Sequence, residues 1–160
     1  MRLALEHLAK SLYLVISMPN ADTMGSIFRN EIENLKRDLP YNVSCIENFG
    51  KENYFSAMTY AKILIGNTSS GILEVPTFKK ATINIGNRQL GREMAESVIN
   101  CELESSSIAK SIDKIYSKNF KEVLSEVSNP YGSGGASSKI FGEIKKSDLS
   151  NLVIKRFHDL

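Results

Sequence analysis

The feature that most constrains the fold is the stretch ILIGNTSSGILEVP at residues 63–76, where an apolar run breaks into small polar residues and then resumes with helical spacing. Residues 63–65 followed by Gly66 predict a buried parallel strand that ends in a turn. One of the hydroxyl residues at 68–70 is expected to cap a short helix with Glu74 in its first turns. The stretch therefore predicts a strand, a turn and a helix in succession, the repeating unit of an α/β fold.

A junction of this kind is a candidate anion site. Unpaired main-chain N–H groups and the positive end of the helix dipole point out of the turn together, and the hydroxyls of Thr68, Ser69 and Ser70 add donors without bulk. The carboxylate of Glu74 would repel a phosphate, but it can accept hydrogen bonds from a neutral diol such as a ribose. A ligand with a phosphate beside a sugar satisfies both, whereas helix capping alone is the plain alternative for the hydroxyls.

Two other loops of similar composition are excluded. A nucleophile elbow requires Gly two residues before and two residues after its serine, and Ser69 has Gly71 after it but Asn67 before it. A Walker-type loop requires a Lys after its last Gly, and no Lys follows Gly71. The stretch therefore indicates neither a serine hydrolase nor a Walker-type ATPase.

Composition predicts one soluble domain of the cytoplasm. The 160 residues are 42% hydrophobic and 24% charged, and the net charge of +2 is spread along the chain, so neither nucleic acid nor a membrane is an expected partner. No apolar run approaches the ~18 residues of a membrane span, and the first residues do not resemble a signal peptide. Cys45 and Cys101 are too few for a disulfide framework or zinc site, so we expect reduced thiols and no metal or other cofactor.

Hydrophobic periodicity predicts strands that alternate with helices along the chain. Strands are expected at 12–16, 43–46, 63–65, 81–85 and 97–100, and helices at about 3–8, 20–39, 51–61, shortly after 71, from 105 onward and around 140–144. This alternation specifies a parallel sheet with helices on both faces. We expect the domain to span residues 1–146, followed by a terminal helix or tail at 147–160.

Ligands of such sheets bind at the carboxyl ends of the strands. Besides the turn at 66–71, that edge would carry Asn20, Phe49 and Arg88, each of which follows a predicted strand. Arg88 would bring positive charge to a phosphate, although it could equally be a solvated turn residue. Asn20 has a plain alternative as a turn or cap residue.

With those residues in place, the chain resembles the C-terminal half of the UDP-N-acetylglucosamine 2-epimerases, especially the hydrolysing, sialic-acid-pathway kind. The resemblance covers nearly the whole chain and rests on PNAD (19–22), IGNTSSG (65–71) with Glu74 and Pro76, NIGNRQLGR (84–92), AESVI (95–99) and NPYG (129–132). It implies a glycosyltransferase-B-like fold, in which two Rossmann-like domains hold a nucleotide sugar between them.

The resemblance also implies roles for individual residues. Ser69, Ser70 and Gly71 would lie at the diphosphate of UDP-N-acetylglucosamine or UDP, with Thr68 close by, and Glu74 would hold the ribose hydroxyls. Arg88 and Asn20 would face the ligand, and the backbone around Phe49 would read the uracil edge.

The segment RQLGR with AESV is similar to the hydrolysing pattern, which implies elimination of UDP through a 2-acetamidoglucal, addition of water, and release of N-acetylmannosamine. The chain departs from the family at Thr68, where Ser is usual, and at 132–135, where GSGG replaces a more typical Gly-Asp-Gly-Asn.

The resemblance places the catalytic carboxylates in an N-terminal domain, so no catalytic residue is expected in this chain. The first strand of the C-terminal domain, with its His-Pro turn, is also absent, and this predicts an apolar seam in the sheet. We therefore expect the missing domain or a partner chain to be needed for activity, and a homo-oligomer is compatible with the resemblance. The alternatives are a donor-binding domain of a glycosyltransferase of this fold, a non-catalytic UDP-sugar-binding remnant, and a related guanosine or diacetamido-sugar epimerase.

Overall fold

A computed structural model describes residues 2–19 and 25–148. In chain order the elements are α1 (Arg2–Ala9), β1 (Leu14–Ser17), α2 (Gly25–Asp38), β2 (Val43–Ile46), α3 (Gly50–Tyr60), β3 (Ile63–Gly66), α4 (Ser70–Leu73), a 3₁₀ turn (Val75–Phe78), β4 (Ala81–Ile85), β5 (Val98–Cys101), α5 (Ser105–Tyr116), α6 (Lys118–Glu126) and α7 (Ala136–Lys146). The predicted α/β alternation is confirmed. Within the described ranges no helix is both long and apolar enough to cross a membrane. Asn20 and the predicted helix beyond residue 148 lie outside the described residues.

The strands form two parallel sheets rather than one. β1 pairs with β2, with Leu14 opposite Val43, and a second sheet has the order β3-β4-β5, with Ile65 opposite Ile83. Every residue of the central strand β4 is buried, because it has a strand on each side and helices over its faces.

One edge of β1 has no partner strand among the described residues. Met18 donates its main-chain N–H to the carbonyl of Ile46 at 3.0 Å. In a parallel ladder the N–H and C=O of one residue face the same side, and successive residues face opposite sides. Since Met18 faces β2, the main-chain groups of Val15 and Ser17 face away from β2.

The outer edge of β3 is open in the same way. Thr82 donates its N–H to Ser97 in the direction of β5, at 3.0 Å, so the main-chain groups of its neighbour Ile83 face β3. In the observed register Ile83 bonds to the residues that flank Ile65, and the main-chain groups of Ile65 face away from the sheet. Among the described residues the strands therefore form two sheets, and β1 and β3 each have an unpaired edge.

Helix α1 connects the two sheets from one side. Its Ala4 lies in the core cluster of the larger sheet, with Ile83 and Ile108, whereas Ala9 packs with Leu35 and Val43 of the smaller one. Helix α1 therefore contributes to two separate core clusters, one for each sheet.

Two observed element boundaries differ from those that hydrophobic periodicity predicts. β1 begins at Leu14 rather than Leu12, because Leu12 donates its N–H to the carbonyl of Leu8 at 2.9 Å and so belongs to the turn that ends α1. The helical region after residue 105 is broken at Ser117, whose extended backbone ends α5 and whose hydroxyl accepts the N–H of Phe120 at 3.3 Å. Because serine is a favoured N-cap residue, Ser117 was the sequence signal for this break between α5 and α6.

Candidate functional site

The turn after β3 sits at the carboxyl end of the larger sheet, as the sequence predicts. Gly66 has φ +151°, a backbone conformation that side-chain-bearing residues rarely adopt, and the chain then passes through 67–69 into α4. Because α4 has only four residues, its helix dipole is small and any anion would be held by local N–H and hydroxyl donors.

The three hydroxyls of the turn are not equivalent. The hydroxyl of Ser70, a buried residue, accepts a hydrogen bond from Tyr54 Oη at 2.7 Å, and Thr68 Oγ1 accepts the N–H of Ser70 at 3.4 Å. Ser69 is half-buried, and within the described part of the chain its hydroxyl has no hydrogen-bond partner. Ser69 therefore offers a ligand a hydroxyl that has no partner among the described residues, whereas Ser70 has a structural partner.

Helix α3 supports the turn through Tyr54. Its ring contacts Phe49 edge to face, with 5.8 Å between ring centroids, and this connects Phe49 to the turn through a single side chain. Burial raises the pKa of the Tyr54 hydroxyl, the hydrogen bond with Ser70 acts in the opposite sense, and the negative charge of Glu74 raises it further. The charge of Glu74 therefore disfavours ionisation of Tyr54.

Tyr54→Phe is expected to lower the free energy of unfolding by about 0.5–1.5 kcal/mol, the usual net value of one hydrogen bond, because it removes the partner of the Ser70 hydroxyl. Urea denaturation measures this. Tyr60→Phe is the matched control, since Tyr60 lies on the same helix, is 87% exposed and should change stability by less than about 0.5 kcal/mol. Equal midpoints for the two variants would contradict the assignment.

The segment after β4 contacts the same turn. The carbonyl of Asn67 accepts a hydrogen bond from Gln89 Nε2 at 2.7 Å and a longer one from Arg88 Nη1 at 3.4 Å. Arg88 is exposed, so its positive charge lies at the turn and in reach of solvent. The fold therefore brings together two motifs that are about twenty residues apart in sequence.

A third motif packs behind the turn. Asn129 donates its side-chain N–H groups to the carbonyl of Leu73 at 2.8 Å and to Thr77 Oγ1 at 2.7 Å, so the NPYG loop holds the end of α4. From below, Thr82 Oγ1 donates to the carbonyl of Gly71 at 2.9 Å.

Of the predicted site residues, 68–71 and Arg88 meet at one place, Glu74 lies at the C-terminal end of α4, and Phe49 is reached through Tyr54. Sequence reasoning missed the supporting roles of Tyr54, Gln89 and Thr82. Gln89 stands inside the RQLGR motif and Tyr54 on the predicted inner face of its helix, and these positions were the only signals. The ligand contacts themselves stay predictions.

Parallel strands with this turn at their carboxyl ends define an α/β domain, a class whose ligands bind at that edge. The family model for UDP-N-acetylglucosamine 2-epimerase matches residues 1–145. The chain belongs to this family, as its motifs predict.

Individual relatives agree with this assignment. The chain is 35% identical to GDP/UDP-N,N'-diacetylbacillosamine 2-epimerase (hydrolyzing) of Campylobacter jejuni, over 94% of this chain and 39% of the relative. It is 38% identical to polysialic acid biosynthesis protein P7 of Escherichia coli, over 70% of this chain and 28% of that protein.

The crystal structure of UDP-GlcNAc 2-epimerase from Neisseria meningitidis bound to UDP-GlcNAc superposes with a TM-score of 0.70 and 21% identity, over 91% of this chain and 40% of that chain. This likeness confirms the glycosyltransferase-B-like fold. The chain spans about 40% of the length of the C. jejuni relative and of the N. meningitidis structure.

Proposed function

We propose that this chain is the nucleotide-binding half of a hydrolysing UDP-N-acetylglucosamine 2-epimerase, and that it binds the UDP end of the substrate while other polypeptide supplies the proton-transfer groups. The observation that carries the proposal is the turn at 67–71, where the Ser69 hydroxyl has no partner among the described residues and the Arg88 guanidinium contacts the carbonyl of Asn67. Family membership and partial coverage of the relatives support it.

The main-chain N–H groups of Thr68 and Ser69 add to this arrangement, because they too lack partners in the described part of the chain. With the Ser69 hydroxyl and Arg88, they would donate to phosphate oxygens. As the bond between C1 of the sugar and the β-phosphate oxygen breaks, negative charge grows on that oxygen, and donors already in place stabilise it. Binding energy from UDP would also hold the reacting sugar in position.

In this proposal Glu74 accepts hydrogen bonds from the ribose hydroxyls, and the backbone near Phe49 reads the base. Elimination of UDP would give a 2-acetamidoglucal, and addition of water would give N-acetylmannosamine. Since the C. jejuni relative matches nearly the whole chain at 35% identity, a UDP- or GDP-linked diacetamido sugar is the second candidate substrate.

Calorimetric titration with UDP tests the binding proposal. The wild-type chain should give saturable heat. Ser69→Ala should lower the affinity for both UDP and pyrophosphate about 10-fold or more, because one donor to a charged group is lost. Glu74→Ala should lower the affinity for UDP by a similar factor but leave the affinity for pyrophosphate unchanged, because pyrophosphate has no ribose. Glu122→Ala on α6, an exposed position, is the control. Failure of the wild-type chain to bind UDP would contradict the proposal.

Mixing the chain with the part of the C. jejuni relative that it does not match tests the catalytic half of the proposal. Release of free N-acetylmannosamine from UDP-N-acetylglucosamine would identify the first candidate substrate. Release of a diacetamido sugar from its UDP or GDP conjugate, without N-acetylmannosamine, would identify the second. Transfer of the sugar to an acceptor would instead indicate a glycosyltransferase.

A further inference from the structure

We propose that Gln89 is a positioning residue that sets the conformation of the 67–71 turn and aims the N–H of Thr68 at the ligand. The inference rests on the proposed function, because it assigns that N–H to a phosphate. Gln89 itself is only 3% exposed and therefore is not expected to touch the ligand.

The orientation of the Gln89 amide follows from its contacts. Nε2 donates to the carbonyl of Asn67 at 2.7 Å, whereas Oε1 is buried and has no partner among the described residues. Turning the amide over would place Oε1 against the Asn67 carbonyl, and two acceptors would then face each other. The donor is therefore committed to Asn67.

Packing alone is a poor explanation for Gln89. A buried acceptor without a partner is unfavourable, and a Met side chain would fill a similar volume without one. The cost of burying the unpaired Oε1 is explained if the Nε2 donor is needed to hold the carbonyl of Asn67. Arg88 contacts the same carbonyl only at 3.4 Å and is exposed, so it is the weaker holder of the two.

The effect on the ligand side follows from peptide geometry. The carbonyl of Asn67 and the N–H of Thr68 belong to one planar trans peptide and point in opposite directions. By holding the carbonyl, Gln89 directs the N–H to the other side, where it has no partner among the residues that the structure describes. Gly66, just upstream, gives the turn conformational freedom that this contact removes.

Comparing UDP with uridine in the Gln89→Met variant tests the inference. We expect UDP affinity to fall about tenfold, because the donors of the turn are no longer aligned, while uridine affinity stays unchanged because uridine has no phosphate. Leu90→Ala is the control, since Leu90 is the next residue and is 83% exposed. Its affinities for both ligands should equal those of the wild-type chain.

The outcomes separate this inference from the proposed function. Unchanged UDP affinity in Gln89→Met, or equal losses for UDP and uridine, would overturn the positioning role while leaving UDP binding in place. If the wild-type chain binds no UDP, the proposed function fails. NMR of the ligand-free chain then decides about Gln89: the Thr68 and Ser69 amide resonances should shift in Gln89→Met, and unchanged resonances would overturn the inference.

Discussion

Replacing Gly71 with Ala is expected to lower the free energy of unfolding by about 1–3 kcal/mol, the usual cost of forcing a methyl group into a packed core. A Cβ at Gly71 would lie 2.6 Å from Thr82 Cγ2 and 3.2 Å from Leu64 Cδ2. Thr82 is 1% exposed, β-branched and anchored in the central strand, so it has little room to move. Moving Gly71 instead would displace the turn, so UDP affinity should fall as well. Urea denaturation and UDP titration measure the two effects.

Two further variants make this prediction sharp. Thr82→Ser removes Cγ2 but keeps the hydroxyl that donates to the Gly71 carbonyl. Gly71→Ala should therefore cost much less stability when it is introduced into the Thr82→Ser variant than when it is introduced into the wild-type chain. Gly142→Ala is the matched control, because among the described residues no atom outside the adjoining backbone of helix α7 lies within 4 Å of the added methyl. There Ala should be neutral or stabilising by about 0.5–1 kcal/mol. If Gly71→Ala and Gly142→Ala had the same free energy of unfolding, a clash between the added methyl group and Thr82 would be disproved.

The second large effect concerns the unpaired strand edges. The amides of Val15 and Ile65 face away from their sheets, whereas those of Ile16 and Leu64 face a paired strand. Hydrogen exchange of Val15 and Ile65 should therefore be about 100-fold faster, or more, than that of their neighbours, because ladder amides exchange only on opening of the structure. Residue-resolved NMR exchange measures this, and each adjacent pair serves as its own control.

Polypeptide that pairs with these two edges should slow the exchange of Val15 and Ile65 toward the rates of Ile16 and Leu64. Protection of Val15 and Ile65 in the chain by itself would contradict the open edges. It would indicate that these edges pair with each other or with a second copy of the chain.

Much of the fold was predictable from local pattern. Apolar runs of strand length alternate with amphipathic segments, and this alternation specifies a parallel α/β arrangement whatever the details of packing. The turn chemistry of 66–71 is equally local, because Gly and hydroxyl residues act on their own backbone. The start of β1 and the break at Ser117 escaped the pattern, since capping contacts outweigh periodicity over a few residues.

The candidate site divides in the same way. The sequence by itself determined the family, the turn at 66–71 and the positions of Phe49 and Arg88 after β2 and β4. Only the tertiary structure decided that Ser70 is held by Tyr54 while the Ser69 hydroxyl has no partner in the described ranges, and that Gln89 holds the carbonyl of Asn67. The physical reason is that these contacts join elements far apart in sequence. Their geometry depends on strand register and helix packing, which no local pattern encodes.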